Sequence, residues 1–135
     1  MMKIKENELE NNVYFWQKLD TLILSGKWEV TRKQGEAALD YPGLVYPFDF
    51  GTIKDTISAP STPLYCFHGS LKNMQATAIV IQADILSREV ITKVLIGCTP
   101  EECNIILKFI NATEFQKAIM VRRSSTVPQW ADSDH

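Results

Sequence analysis

Between Tyr41 and Thr56 the chain reads Tyr-Pro-Gly-Leu-Val-Tyr-Pro-Phe-Asp-Phe-Gly-Thr-Ile-Lys-Asp-Thr, with two prolines, two glycines and four aromatic residues. Proline fixes φ and removes a backbone donor, and glycine opens conformations closed to other residues, so a helix cannot run through this stretch. The aromatic and β-branched residues between them favour extended chain. Together they predict a strand that enters a tight corner, turns at Gly51 and leaves as a second short strand.

Upstream, Val13, Trp16, Leu19 and Ile23, joined by Phe15 and Leu22, recur at three- and four-residue steps, while Glu10, Gln17, Lys18 and Asp20 fall on the other side. That spacing predicts a helix over 8–25 with its apolar stripe on the core, stopped by Gly26. Lys27 to Arg32 alternates polar and apolar residues and predicts a first strand. Downstream of the corner, strands are expected over 63–67, 75–86 and 90–96, with a hairpin turn at Ser87-Arg88-Glu89. Thr99-Pro100-Glu101-Glu102 is a capping box with proline in the first turn, and it predicts a helix over 100–111. Ile105, Ile106, Phe109 and Ile110 are expected on its core face and Asn111 in a left-handed cap. A closing strand over 115–122 and a loose tail over 124–135 complete the chain.

Short strands between an early and a late helix predict an α+β domain over 1–123, built on a small barrel. At 135 residues and 45% hydrophobic content the chain can bury a core without staples. A formal charge of −2 gives no basic footprint for nucleic acid, and no apolar run approaches a membrane span. Cys66, Cys98 and Cys103 match neither a disulfide framework nor zinc spacing, and they read as small buried hydrophobes of a soluble cytoplasmic protein. His68, on a strand with no acid beside it in sequence, reads as structural.

The pattern Tyr-Pro-x-Asp-aromatic-Gly at Tyr46 to Gly51, followed by Ile53 and Thr56, resembles the signature of the soluble (family I) inorganic pyrophosphatases, most closely the short bacterial ones. The resemblance extends in order along most of the chain. It implies a small, highly twisted, closed β-barrel of OB-like type with flanking helices, hydrolysis of diphosphate to phosphate, Mg²⁺ as cofactor, and a homo-oligomer. It further implies phosphate-gripping roles for Tyr46, for Lys93 on the late strand and for Arg32 in the first-strand turn.

On one point the chain departs from that family. After the corner the family carries Asp-Gly-Asp-Pro-x-Asp, whose carboxylates hold Mg²⁺, whereas here the segment reads Ala59-Pro60-Ser61-Thr62-Pro63-Leu64-Tyr65. Thr31 stands in place of an acid on the first strand, and Ile91 in place of the acid before Lys93. From Thr56 to Ala83 there is no Asp or Glu at all. A hard divalent cation is held by oxygen donors, and a multi-metal phosphoryl site needs several carboxylates converging. The expectation is therefore a pyrophosphatase-like protein with hydrolysis lost or weakened and a pocket for phosphate or another small anion retained. Two alternatives stay open: an active phosphohydrolase with a rearranged metal site drawn from Asp49, Asp55, Asp84 and Glu89, and an oligomeric interaction module without catalysis.

Overall fold

A computed structural model describes residues 10–39 and 41–125. Residues 8 and 9 of the expected first helix, and the expected tail beyond 125, lie outside the described residues. In chain order the elements are α1 (Val13–Ser25), β1 (Lys27–Arg32), β2 (Asp49–Lys54), β3 (Leu64–His68), β4 (Ala76–Asp84), β5 (Glu89–Ile96), α2 (Pro100–Ile110) and β6 (Gln116–Arg122). The strands form one mixed sheet in the order β1-β2-β3-β5-β4-β6. All neighbours run antiparallel except β3 and β5, which pair in parallel, Tyr65 opposite Lys93 and Phe67 opposite Leu95. The ladder ends at β1 and β6, and no pairing joins those edges among the described residues, so barrel closure is not part of the hydrogen bonding.

Strand alternation gives the sheet two apolar faces, and each helix covers one. Trp16, Leu19 and Ile23 of α1 pack with Ile53, Leu64, Cys66, Val94 and Ile96. Cys103, Ile106 and Ile110 of α2 pack with Phe67, Ala78, Val80 and Leu95 on the opposite face. Burying side chains of this size supplies roughly 1.5–3 kcal/mol each before the entropy of ordering them is subtracted. Trp28 of β1 and Val121 of β6, from opposite edges, both lean on the cluster around Trp16, so the sheet curls around α1.

Several local expectations need correction. Helix α1 begins at Val13, because Asn12 caps it by accepting from the N–H groups of Tyr14 and Phe15. Asp20, expected in solvent, accepts from the Ala76 N–H at 2.9 Å and pairs with Arg123. In α2 the sixth residue, Ile105, points outward and Cys103 takes the core position. Asn111 has φ −84 rather than a left-handed conformation, and its side chain instead bonds the Leu107 and Ala118 carbonyls and the Ala118 N–H.

The corner also differs. Gly51 makes no turn: it lies mid-strand in β2, where a Cβ would run into the Glu29 carbonyl oxygen of β1. Its role is close approach of two backbones, and the segment before Asp49 supplies the turns instead.

Candidate functional site

Lys93 occupies the middle of the sheet, between Tyr65 of β3 and Val80 of β4. Alternation along β5 puts it on the α2 face with Leu95, and its Nζ lies 5.3 Å from the centroid of the Phe50 ring. Among the described residues its ammonium makes no hydrogen bond and no ion pair. Burial is the dominant influence and pulls its pKa down to about 8, with the Asp84 carboxylate acting weakly in the other direction. A half-buried cation without a counter-ion is costly, and an anion brought to it would relieve that cost.

Arg32 reaches the same face through a bulge. Val30 pairs with Gly51 and Arg32 with Phe50, so Thr31 is an extra residue on β1. Plain alternation from Trp28 and Val30 would have sent Arg32 to the α1 side, and the inserted residue re-aims it. Thr31 secures the bulge by donating its hydroxyl to the Phe50 carbonyl at 3.2 Å.

Tyr46 arrives from the loop between β1 and β2. A Gly35 N–H donates to the Tyr46 carbonyl and the Tyr46 N–H to the Glu36 carbonyl, each at 2.8 Å, with Ala37 bridged to Val45. Gly35 turns this loop with φ +89, a conformation glycine adopts without strain. The Tyr46 ring packs 5.1 Å from Phe109, 5.8 Å from Phe50 and 6.4 Å from Phe67, centroid to centroid.

These three side chains, expected on different strands and loops, line one cavity of about 250 Å³ beneath the C-terminal end of α2, together with Phe109, Thr113 and Gln116. Arg32 also lies 3.7 Å from the Glu36 carboxylate, a half-exposed pair that a ligand can displace at little cost. A guanidinium, an ammonium and a phenol around one small space can hold an oxyanion by charge and by donated hydrogen bonds.

On the other side of Lys93 is a cleft of about 480 Å³ lined by Phe50, Thr62, Tyr65, Glu89 and Ile91 among others. Thr62, Tyr65 and Ile91 are positions where the family resemblance places metal-binding acids. Here they offer a hydroxyl, a phenol and a hydrocarbon, and Glu89 is the cleft's one carboxylate among the described residues. Of the other candidates, Asp49 and Asp55 stand apart. Asp49 accepts from the Gln34 N–H at 2.9 Å, and Asp84 accepts from the Leu86 and Ser87 N–H groups in the β4–β5 turn. Asp55, with φ 65, follows the far end of β2, roughly 20 Å from Asp49 by strand rise. Asp84 and Glu89 face each other across the hairpin. No three His, Cys, Asp or Glu side chains gather among the described residues. That donor set does not fit Mg²⁺, which wants near-octahedral oxygen ligands.

His68 places Nδ1 2.9 Å from the Gly69 carbonyl and Nε2 2.9 Å from the Asn73 carbonyl, so it ties down the loop after β3. Cys66 is fully buried, and burial pushes its thiol up to about 12. A polar relay escaped the sequence reading: Gln82, almost fully buried, donates to Gln116 at 2.7 Å, and Gln116 donates to the Ile110 carbonyl at 2.9 Å. The Gln82 Oε1 itself is left without a partner among the described residues. A glutamine inside the apolar run Ala76 to Ala83 was the signal for it.

The fold and site define an α+β protein with a cationic, aromatic-walled cavity. No protein-family model matches the chain, and no curated protein matches it. Among solved structures it is similar to an inorganic pyrophosphatase from Coxiella burnetii, with 13% identity, a TM-score of 0.47, and 73% of this chain and 83% of that one covered. It is also similar to an inorganic phosphatase from Anaplasma phagocytophilum, with 15% identity, a TM-score of 0.44, and 72% and 74% covered. At TM-scores below 0.5 the chemistry of this chain has to be read from its own residues.

Proposed function

We propose that this chain is a pyrophosphatase-like protein that binds a phosphate-type anion between Arg32, Tyr46 and Lys93 and has lost, or all but lost, metal-dependent hydrolysis. One observation carries the reading: Arg32, Tyr46 and Lys93 line a single cavity, while the adjoining cleft offers one carboxylate among the described residues. Phosphoanhydride hydrolysis needs charge neutralisation on the leaving phosphate and an activated water. The cationic half of that apparatus has candidates here, while among the described residues no three acids gather to bind Mg²⁺ and activate water. The barrel implied by the sequence resemblance belongs to the same proposal, supported by the curl that brings Trp28 and Val121 onto one cluster.

Phosphate release from pyrophosphate, measured with and without Mg²⁺ or Mn²⁺, tests it. Background-level release under all conditions supports the proposal. Metal-dependent release that collapses in Lys93→Ala defeats it in favour of a rearranged metal site.

A second reading has its own observation. Ile85, Leu86, Val90 and Ile119 are largely exposed at the hairpin end of the β4, β5 and β6 region. Apolar surface of this kind favours self-association. A concentration-independent monomer in light scattering excludes that reading.

A further inference from the structure

We propose that Cys98 and Cys103 form an oxidisable thiol pair, a modification site that hydroperoxides convert to an intramolecular disulfide. The capping box of α2 sets the geometry. Thr99 is the N-cap and Pro100 the first helical residue, so Cys98 precedes the cap and Cys103 stands in the fourth helical position. Those are the two positions whose side chains meet in a hydrophobic staple. In this chain both ends of the staple are sulfur, and both side chains lie in the same buried cluster under α2.

The pair is buried but not sealed. Both cysteines line a cavity of about 270 Å³ with Thr77, and its rim residues Gln75, Pro100 and Arg122 are exposed. The Sγ of Cys98 also lies 3.4 Å from the Ile96 carbonyl. The neighbouring Cys98 thiol and the Arg122 charge favour the thiolate at Cys103 against burial, while Cys98 is held as the thiol. Thiolate character decides which sulfur reacts with peroxide first.

The Cys103 thiolate attacks the hydroperoxide; an S–O bond forms, the O–O bond breaks, and the departing alkoxide takes a proton to leave as the alcohol. Cys98 sulfur then attacks the sulfenic sulfur; the S–S bond forms, the S–O bond breaks, and hydroxide leaves with the Cys98 proton as water. Two thiols lose two electrons and one hydroperoxide gains them. Cys66 does not take part: it is buried in the other apolar cluster and its thiol is pushed up to about 12.

Cleavage after Lys93 and Lys108 releases both cysteines in one peptide, and Cys66 falls in another. The folded protein is treated with hydrogen peroxide, unfolded, alkylated and digested. The expected result is a peptide lacking two hydrogens, blocked to alkylation and restored by dithiothreitol, with Cys66 still free. Cys98→Ser and Cys98→Ala both stop the two-hydrogen loss and leave Cys103 carrying added oxygen. Alkylation of both Cys98 and Cys103 after treatment overturns the proposal. So does oxidation of Cys66 at the same rate, or an equally fast cross-link in chain unfolded by urea before treatment, since mere spacing would then explain it.

Discussion

Lys93 Nζ stands over the Phe50 ring, 5.3 Å from its centroid. A cation–π contact contributes on the order of 0.5–2 kcal/mol, less than a buried ammonium costs. The remainder of that cost is available to an anion, and it sets a pH dependence. Protonated Lys93 is the binding form, so affinity for phosphate or pyrophosphate falls as pH rises through and above about 8, because a bound anion raises the folded value. Titrations across pH 7 to 10 are expected to lose this slope in Lys93→Met.

The same lysine destabilises the unliganded fold. Its folded pKa is lowered from 10.5 to about 8, so between those values the unfolded chain holds the proton more tightly and stability rises with pH. Lys93→Met is expected to stabilise the protein by roughly 1–3 kcal/mol at pH 7, with the gain vanishing toward pH 10.5. Urea unfolding at both pH values reads the difference, and a destabilised variant contradicts it.

Gly51 couples the fold to the site. A Cβ there meets the Glu29 carbonyl where β1 bulges at Thr31, and the bulge is what turns Arg32 toward the cavity. Gly51→Ala is expected to cost about 2 kcal/mol or more and to weaken anion binding beyond its effect on stability. Unfolding and titration of the same sample separate the two effects.

At the start of α2, Thr99 accepts from the Glu102 N–H at 3.2 Å and Glu102 accepts from Thr99 at 2.9 Å and Ser70 at 3.1 Å. Burial pushes the Glu102 carboxyl up, but these hydrogen bonds outweigh it and hold the pKa below its ordinary value. Its contribution is therefore full above the usual carboxylate range and is lost as pH falls through the lowered folded value. Thr99→Ala is expected to cost about 1 kcal/mol, and Glu102→Gln to flatten the acid limb of the stability profile.

Asp20 joins α1, β4 and the residue just past β6, bonding the Ala76 N–H and pairing with Arg123 at 2.9 Å, while Arg123 also donates to the Ala76 carbonyl. Asp20→Ala is expected to cost roughly 1–3 kcal/mol, because it strands a backbone donor and an arginine together. A double-mutant cycle with Arg123→Met is expected to show strong coupling, and simple additivity contradicts the link.

The elements that the sequence disclosed are those whose causes are local. Thr99, Pro100 and Glu102 lie within four residues of one another, so α2 was legible from its cap; the long apolar runs marked β4 and β5 in the same way. What escaped depends on chain brought from elsewhere. Gly51 reads as a turn until β1 is laid against it, and Arg32 falls on the wrong face until Thr31 is seen to bulge. Asp20 reads as a solvated acid because its partners are 56 and 103 residues away. Tyr46 came from the motif and Lys93 and Arg32 from the wider resemblance, while the cavity that all three line depends on the sheet order and on the bulge. Cys98 and Cys103 could have been paired from the sequence, since the capping box already fixed their helical positions.

The most direct measurement of the central claim is a calorimetric titration of pyrophosphate into the protein in the presence of a metal chelator. One saturable site, weakened at least about tenfold in both Lys93→Met and Arg32→Met, is the expected result, since each charge-assisted contact contributes roughly 1.5–3 kcal/mol. Binding that requires Mg²⁺, or that survives both substitutions unchanged, contradicts it.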